Sequence, residues 1–450
     1  MRVIGVIAEF NPFHNGHEYL IAKAREAVGD PRAIVAVCMS GPFVQRGEPS
    51  ILPKDIRTKM ALNCGADVVF ELPFSFACAP SERFAHGGVE LLARTGVVTD
   101  IAFGVDSNPE LISFIADAIF ENANDSNEEY SRILSEALSG GKSFAAARSE
   151  AILGVLFEGA SKDSPMAKSI PFTKSEISDA LMGSNSILAV DYLLAMKRMH
   201  LTKKIQVHMI SRVGGDYLDT EIRNEFASAT SIRKALWGAN DVVEASNPAF
   251  VATQIAKQCP SAALAVWLSR IGDLESAPSM MTNYNRLVDG AIATRITSAT
   301  NIDSAYMNEH LWGYIKNSFE AAQSDIHQGG ERIAASRNFT KARIDRALAS
   351  LTIGQNSSDI ELISHVNYLR VLGMNRDGRY CLKIIKKVSK LPLIHNCSDF
   401  LELNSLLGTS EYYEATKRCY ELDLAANELQ SSLLGLPRDY EWSVPPVCTK

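Results

Sequence analysis

The sequence lacks a long apolar run: no stretch approaches the roughly 18 consecutive apolar residues of a membrane helix, which excludes a helical membrane protein. It also lacks a basic segment ahead of an apolar one. Met1-Arg2 leads straight into Val3-Ile4-Gly5-Val6-Ile7, so no export signal is expected and the cytoplasm is the default location. The 8 cysteines, at 38, 64, 78, 259, 381, 397, 419 and 448, show no paired spacing that would make a zinc site or a disulfide framework. They are expected as reduced, mostly structural thiols. Basic groups are in the minority, 45 against 52 acidic ones for a formal charge of -7, which excludes a protein that coats nucleic acid over its whole surface but leaves room for a local basic patch. No internal repeat or low-complexity tract is present, and nothing specifies an oligomeric state.

What is present is a chain of 450 residues, 46% hydrophobic, long enough for about two or three domains. Short β-branched runs at 2–8, 33–39, 68–72 and 100–104 read as strands. They alternate with amphipathic stretches at 18–28, 54–64 and 81–95. This βαβαβαβ order predicts a doubly wound parallel sheet of the Rossmann-like α/β class. Residues 109–160 are Ala, Ser and Glu rich and read as a helical insertion. A last strand at 204–210 and a helix from about Thr230 complete a first domain, 1–240. Residues 241–450 read as almost wholly helical and are expected as a second, α-rich domain.

The sharpest local signal is Glu9-Phe10-Asn11-Pro12-Phe13-His14-Asn15-Gly16-His17, where the first strand gives way to the first helix. Ligands of open α/β sheets bind at that edge. His14 and His17 are close enough to face one anion, Gly16 lets the backbone approach, and the helix N-terminus adds positive potential. Asn-Pro-Phe would also make a turn in any protein, but paired histidines at this junction point to phosphate. They resemble the HxGH signature of the nucleotidyltransferase superfamily. A loop after the second strand, residues 39–49, carries Ser40 and Arg46; the arginine offers a planar fork of donors for a phosphate or carboxylate. Ser228, Thr230, Ser231 and Arg233 lie in a third segment, 226–233. The hydroxyls would cap a helix in any protein, while the segment also resembles the (S/T)xxxIR motif of the same superfamily. Gly140-Gly141-Lys142-Ser143 imitates a phosphate loop but has Glu136 at the required first glycine. No nucleophile elbow, cysteine–histidine pairing or metal-ligand spacing emerges, so covalent catalysis by the protein has no support.

Residues 8–17, 40–49, Glu71-Leu72-Pro73-Phe74 and 227–233, together with Asn185-Ser186-Ile187-Leu188, Ser211-Arg212-Val213, 342–348 and 368–373, resemble the tRNA(Met) cytidine acetate ligase family over nearly the whole chain. The resemblance implies an ATP site built from Val6-Ile7-Ala8-Glu9-Phe10-Asn11-Pro12-Phe13-His14-Asn15-Gly16-His17-Glu18-Tyr19, extended by Gly104, Asn185 and Arg212. It implies that acetate attacks the α-phosphate to give acetyl-adenylate, and that the wobble cytidine of elongator tRNA(Met) then takes the acetyl group on N4. His14, His17 and Arg233 would act on the developing charge, with Mg2+ accompanying ATP and no metal held by protein ligands alone. The chain departs from the family at Gly104-Val105-Asp106, where Gly-Ser-Glu is usual, at Ser186, where a second asparagine is usual, and at residues 309–314.

Between 331 and 396, twelve cationic residues meet only five acidic ones, a concentration suited to RNA phosphates. Arg343, Arg346, Arg370, Arg376, Lys386 and Lys387 are the candidate tRNA contacts; an ordinary solvated face is the competing explanation. Two other functions fit parts of the pattern: a nucleotidyltransferase that adenylates another small substrate, and a non-catalytic RNA-binding protein on the same fold.

Overall fold

A computed structural model describes residues 1–123, 128–140, 142, 144–157, 170–212, 228–237, 248–298, 302–322, 333–336, 338–407 and 411–450. The first half runs β1 (Val3–Ala8), α1 (Asn15–Val28), β2 (Ile34–Ser40), α2 (Lys54–Asn63), β3 (Val68–Leu72), α3 (Phe74–Ala77), α4 (Ser81–Arg94) and β4 (Asp100–Val105). Helices α5 (Pro109–Asn122), α6 (Glu128–Ser139), α7 (Phe144–Phe157), α8 (Lys174–Met182) and α9 (Ser184–Arg198) follow, then β5 (Gln206–Ser211) and α10 (Ala229–Trp237). The described residues of 109–157 are thus mostly helical, as the composition suggests. β2 and β3 are buried at every position, which is why they read as continuous apolar runs rather than alternating ones.

Strand order in the sheet is β5-β4-β1-β2-β3, all parallel, with β1 paired to β2 from Val3↔Ile34 to Ala8↔Met39. Crossovers from β1 through β3 move one way and those to β4 and β5 move the other. Right-handed connections then place α1 and α2 on one face and α4 and α9 on the opposite one. The reversal leaves a crevice between β1 and β4 at the strands' carboxyl ends.

The second half contains α11 (Pro248–Ile255), α12 (Ser261–Leu268), α13 (Ala277–Ser298), α14 (Glu309–Ala322), α15 (Lys341–Ile353), α16 (Ser357–Leu362), β6 (Leu369–Met374), α17 (Arg376–Val388), β7 (Leu393–Ile394), α18 (Cys397–Leu407), α19 (Glu411–Leu433), α20 (Tyr440–Ser443) and β8 (Val447–Cys448). Three of these are strands, which corrects the expectation of an almost wholly helical second half. β6 pairs antiparallel with β3, and β7 and β8 pair with β6 in the same sheet. The residues Leu-Arg-Val-Leu-Gly-Met of β6 are all buried, and a short buried strand cannot be told from a helix segment by periodicity. Residues 1–240 and 241–450 therefore share one sheet and one continuous core, and the expected boundary at 240 lies outside the described residues.

A buried ion network fastens this junction. Lys54 Nζ lies 2.7 Å from Glu71 Oε2 of β3 and 2.8 Å from Glu441 Oε1, which Arg370 Nη2 of β6 also reaches at 3.1 Å. Removing one partner of such a cluster strands a buried charge, typically at a cost of about 3–5 kcal/mol.

Candidate active site

The site forms where β1 and β2 end. Arg57 of α2 is fully buried and collects the free carbonyls there: Nη1 donates to Glu9 (2.8 Å) and Ser40 (2.9 Å), Nε to Leu52 (3.0 Å) and Nη2 to Gly41. Burial pushes its pKa down to about 10, so the guanidinium stays charged at neutral pH. One side chain thereby fixes the main chain of both strand ends.

His14 is the N-cap of α1. The Gly16 N–H donates to His14 Nδ1 (3.1 Å), and the His14 N–H donates to His17 Nδ1 (3.2 Å), a reciprocal capping arrangement in which imidazoles replace the usual hydroxyl and carboxylate. A Cβ on Gly16 would come within 2.9 Å of the His14 ring, so glycine is required for this fold-back. The two rings stack with centroids 3.8 Å apart. Burial, with the charges of Arg212 and Arg233 adding to it, lowers the His14 pKa to about 3, and burial together with His14 holds His17 well below the ordinary histidine value. Both rings are therefore neutral at pH 7. Because each Nδ1 accepts a main-chain hydrogen bond, the proton of each ring is on Nε2, giving two donors for an anion.

These donors open into a cavity whose lining includes Ile7, Ala8, Glu9, Phe10, Asn11, His14, Gly16, His17, Tyr19, Gly104, Asn185, Arg212, Thr230 and Arg233, residues drawn from the first-strand motif, the 226–233 segment and the three positions that extend them. Arg233, 5% exposed on α10, donates through Nη1 to the Asn11 carbonyl at 2.7 Å. That bond fixes the guanidinium against the loop between β1 and α1. Glu9 Oε1 accepts the Gln45 N–H at 2.7 Å; burial raises its pKa, while this bond, Arg233 and Arg46 oppose the rise. Phe10 holds a left-handed backbone, φ 48, uncommon for an aromatic residue and costing on the order of 1–3 kcal/mol.

Asp106 organises the opposite rim. Its carboxylate accepts from Asn185 Nδ2 at 2.6 Å and lies 3.6 Å from Arg212 Nε. Ser107 and Ser186 hydroxyls meet beside it at 3.1 Å. Two departures from the family pattern, Asp106 and Ser186, thus lie together at this rim.

Other predicted residues take supporting positions. Val6 and Phe13 are core residues, Pro12 is buried behind the cavity wall, and Glu18 is exposed. Asn15 donates to the Gln258 and Lys257 carbonyls, tying α1 to the second half. Ser228 Oγ accepts from the Ser231 N–H and caps α10, while residues 226, 227 and 213 lie outside the described ones. Neither Ser40 nor Arg46 lines the cavity; Ser40 is buried beneath it, and Arg46 acts on Glu9 electrostatically.

Sequence reasoning missed Gln45, Leu20, Phe84, Phe103, Leu188, Tyr192, Ile210, Ser211 and Ala229 in the lining, and it missed the Arg57 clamp. Leu188 and Tyr192 sit three and seven residues after Asn185, so helical spacing could have found them. Arg57 leaves no local signal, because its partners are carbonyls from three separate segments.

The candidate RNA contacts divide into two groups. Arg376, Lys386 and Lys387 are exposed on α17, alongside Arg379, Lys383 and Tyr380. Arg370 is buried and ion-paired to Glu441, because an inward position on β6 surrounds it with protein. Arg346 donates to the Gln45 carbonyl (3.1 Å), and Arg343 stacks on Phe339, 5.1 Å from the ring centroid. The sum of charges over 331–396 counted these inward groups with the exposed ones. Arg332 and Arg337 of that set lie outside the described residues.

No helix among the described residues is long and apolar enough to cross a membrane. Residues 1–439 match the HIGH Nucleotidyl Transferase family. The chain is 32% identical over 434 residues to the tRNA(Met) cytidine acetate ligase of Acetivibrio thermocellus, covering 95% of this chain and 94% of that one. It is 34% identical over 429 residues to the protein of the same name from Fervidobacterium nodosum, covering 94% and 90%. Thermotoga maritima TmcAL superimposes on it with a TM-score of 0.81 in the apo form and 0.78 bound with alpha-thio ATP, at 27% identity, covering 100% of this chain and 99% of that one. The chain is a member of the HIGH nucleotidyl transferases and, within them, belongs to the tRNA(Met) cytidine acetate ligase family.

Proposed function

We propose that this protein activates acetate with ATP and transfers the acetyl group to N4 of the wobble cytidine of elongator tRNA(Met). The observation that carries this reading is the pair of neutral imidazoles, tautomers fixed by main-chain bonds, that open with Arg233 into one cavity. An acetate oxygen bonds to the α-phosphorus while the bond from phosphorus to pyrophosphate breaks, giving acetyl-adenylate. The cytidine amine then attacks the acyl carbon, loses a proton, and AMP leaves with the carbon–oxygen electron pair.

The chain's part is to position and to donate. His14 and His17 Nε2–H groups and the Arg233 guanidinium meet the charge that gathers on the departing phosphates, and the strand-edge clamp keeps them from reorganising. Asn185 and Arg212, held by Asp106, bind the nucleotide from the other rim. No group of three carboxylate, histidine or cysteine ligands faces the cavity among the described residues. A magnesium ion bound with the triphosphate would neutralise part of its charge.

The exposed cations of α17 are the proposed RNA surface. Asn375 Nδ2 at the start of this helix donates to Asp67 Oδ1 (2.7 Å), and Ser389 Oγ at its end donates to the Arg94 carbonyl (2.9 Å). Asp67 precedes β3 and Arg94 ends the helix before β4, so both ties lie at the sheet edge opposite the cavity. The separation is about one strand length, roughly 20 Å. The RNA body would bind there electrostatically while the anticodon reaches the cavity.

The test is incubation with ATP, magnesium, labelled acetate and total tRNA, followed by nucleoside analysis. The label should appear in N4-acetylcytidine; acetate-dependent pyrophosphate exchange with unlabelled RNA would overturn the assigned acceptor.

A further inference from the structure

On α4, away from the cavity lining, His86 and Glu90 lie one helical turn apart and face His365 in the segment that leads into β6. One ligand atom from each of the three lies within 4.8 Å of the others. We propose that His86, Glu90 and His365 form a divalent transition-metal site, with zinc the favoured occupant, that clips α4 to the segment entering β6.

The hydrogen bonds around Glu90 show which position is open. Its Oε1 is taken by Arg94, 2.8 Å from Nε, and by His365 Nδ1 at 2.8 Å. Its Oε2 accepts the Val366 N–H at 2.9 Å, leaving one further acceptor direction of the roughly four on a carboxylate. Across from that oxygen stands His86 Nε2 at 3.7 Å, too far for a hydrogen bond. Two ligand atoms on one tetrahedral zinc, each about 2.1 Å from it, are roughly 3.4 Å apart, so the His86–Glu90 separation suits a shared ion. His365, with 59% of its side chain exposed, has room to turn from Glu90 toward that ion. The Glu90 carboxylate, only 7% exposed, is held by Arg94 and Val366, the kind of support that orients a metal ligand.

Two imidazoles and one carboxylate select zinc and its neighbours over magnesium or calcium, and leave a fourth position for water. Arg83 and Arg198 act on His86 as well, so the three ligands rather than surplus negative charge must supply the affinity. The ion would reinforce a clamp that already exists: Arg83 Nη1 donates to the Ile360 carbonyl (3.2 Å) and its Nη2 to that of Ile363. Its role is structural, fastening the first half of the chain to the strand the second half adds.

The test uses the full chain, freed of tag and metal, dialysed against zinc and separately against cobalt. The expected result is one zinc equivalent lost in His86→Ala/His365→Ala relative to wild type, with a zinc-dependent rise in Tm that disappears in the same variant. The exposed-residue controls His310→Ala and Cys448→Ser should keep that equivalent, and cobalt should give the intense visible bands of a tetrahedral site. His365→Gln alone, at an exposed position, guards against a folding defect and should also lose the rise. Absence of stoichiometric zinc in wild type, or equal zinc in the double variant because His14 and His17 capture it, would overturn the proposal.

Discussion

The two edges of the sheet handle charge in opposite ways. At the carboxyl edge, His14, Arg57 and Arg233 are buried and bonded to main-chain groups, so each side chain has one orientation. At the opposite edge, α17 buries only Gly378, Cys381, Leu382 and Ile385 and leaves its cations in solvent. Chemistry on phosphorus needs donors fixed before the charge develops. Attraction to an RNA backbone needs only density of charge, which solvent-exposed side chains supply.

The comparison breaks first at Arg57. Arg57→Met should cost about 4 kcal/mol or more in a urea titration, because four buried carbonyls lose a charged donor together. A loss below about 1 kcal/mol would mean the strand ends hold themselves.

At the other edge, Arg376→Ala/Arg379→Ala/Lys386→Ala/Lys387→Ala should weaken tRNA binding and reduce the slope of log affinity against log salt by about 0.7–0.9 per lost contact, with adenylation unchanged. An unchanged slope would remove α17 from the interface. Arg370→Ala sharpens the contrast: it should lower Tm, because Lys54 alone then faces the buried carboxylates of Glu71 and Glu441, without altering that slope.

Asp106→Ala should raise the KM for ATP by roughly tenfold with little change in kcat, since it orients the binding groups Asn185 and Arg212 rather than the transition state. A fall in kcat alone would place Asp106 in the chemical step.

A separate effect is on pH. His14 and His17 have folded pKa values below the unfolded one, so the unfolded chain takes up protons first as pH falls. The His14 contribution is complete above about 6.5 and is lost toward about 3, at up to roughly 1.4 kcal/mol per pH unit, and His17 acts in the same direction. A His14→Gln/His17→Gln variant should show a shallower decline in denaturation midpoint over that range.

The order of parallel strands and the histidine pair were legible because each is local: a buried run, a motif at a strand end. β6 was not, since a six-residue apolar stretch interrupted by Arg370 reads equally as helix and its partner β3 lies some 300 residues away in sequence. The same arginine was read as an RNA contact because a charge sum carries no direction. Asp106 read only as a departure from the family pattern, yet its carboxylate joins two lining residues, a relation visible only once β4 and α9 are brought together.

The most direct test is acetate-dependent ATP–pyrophosphate exchange without RNA, comparing wild type with His17→Ala. The account predicts exchange in wild type, a loss of about 100- to 1000-fold in the variant, and tRNA affinity equal in both. Undiminished exchange in His17→Ala would contradict it, because the cavity between β1 and α10 would then not be where phosphorus reacts.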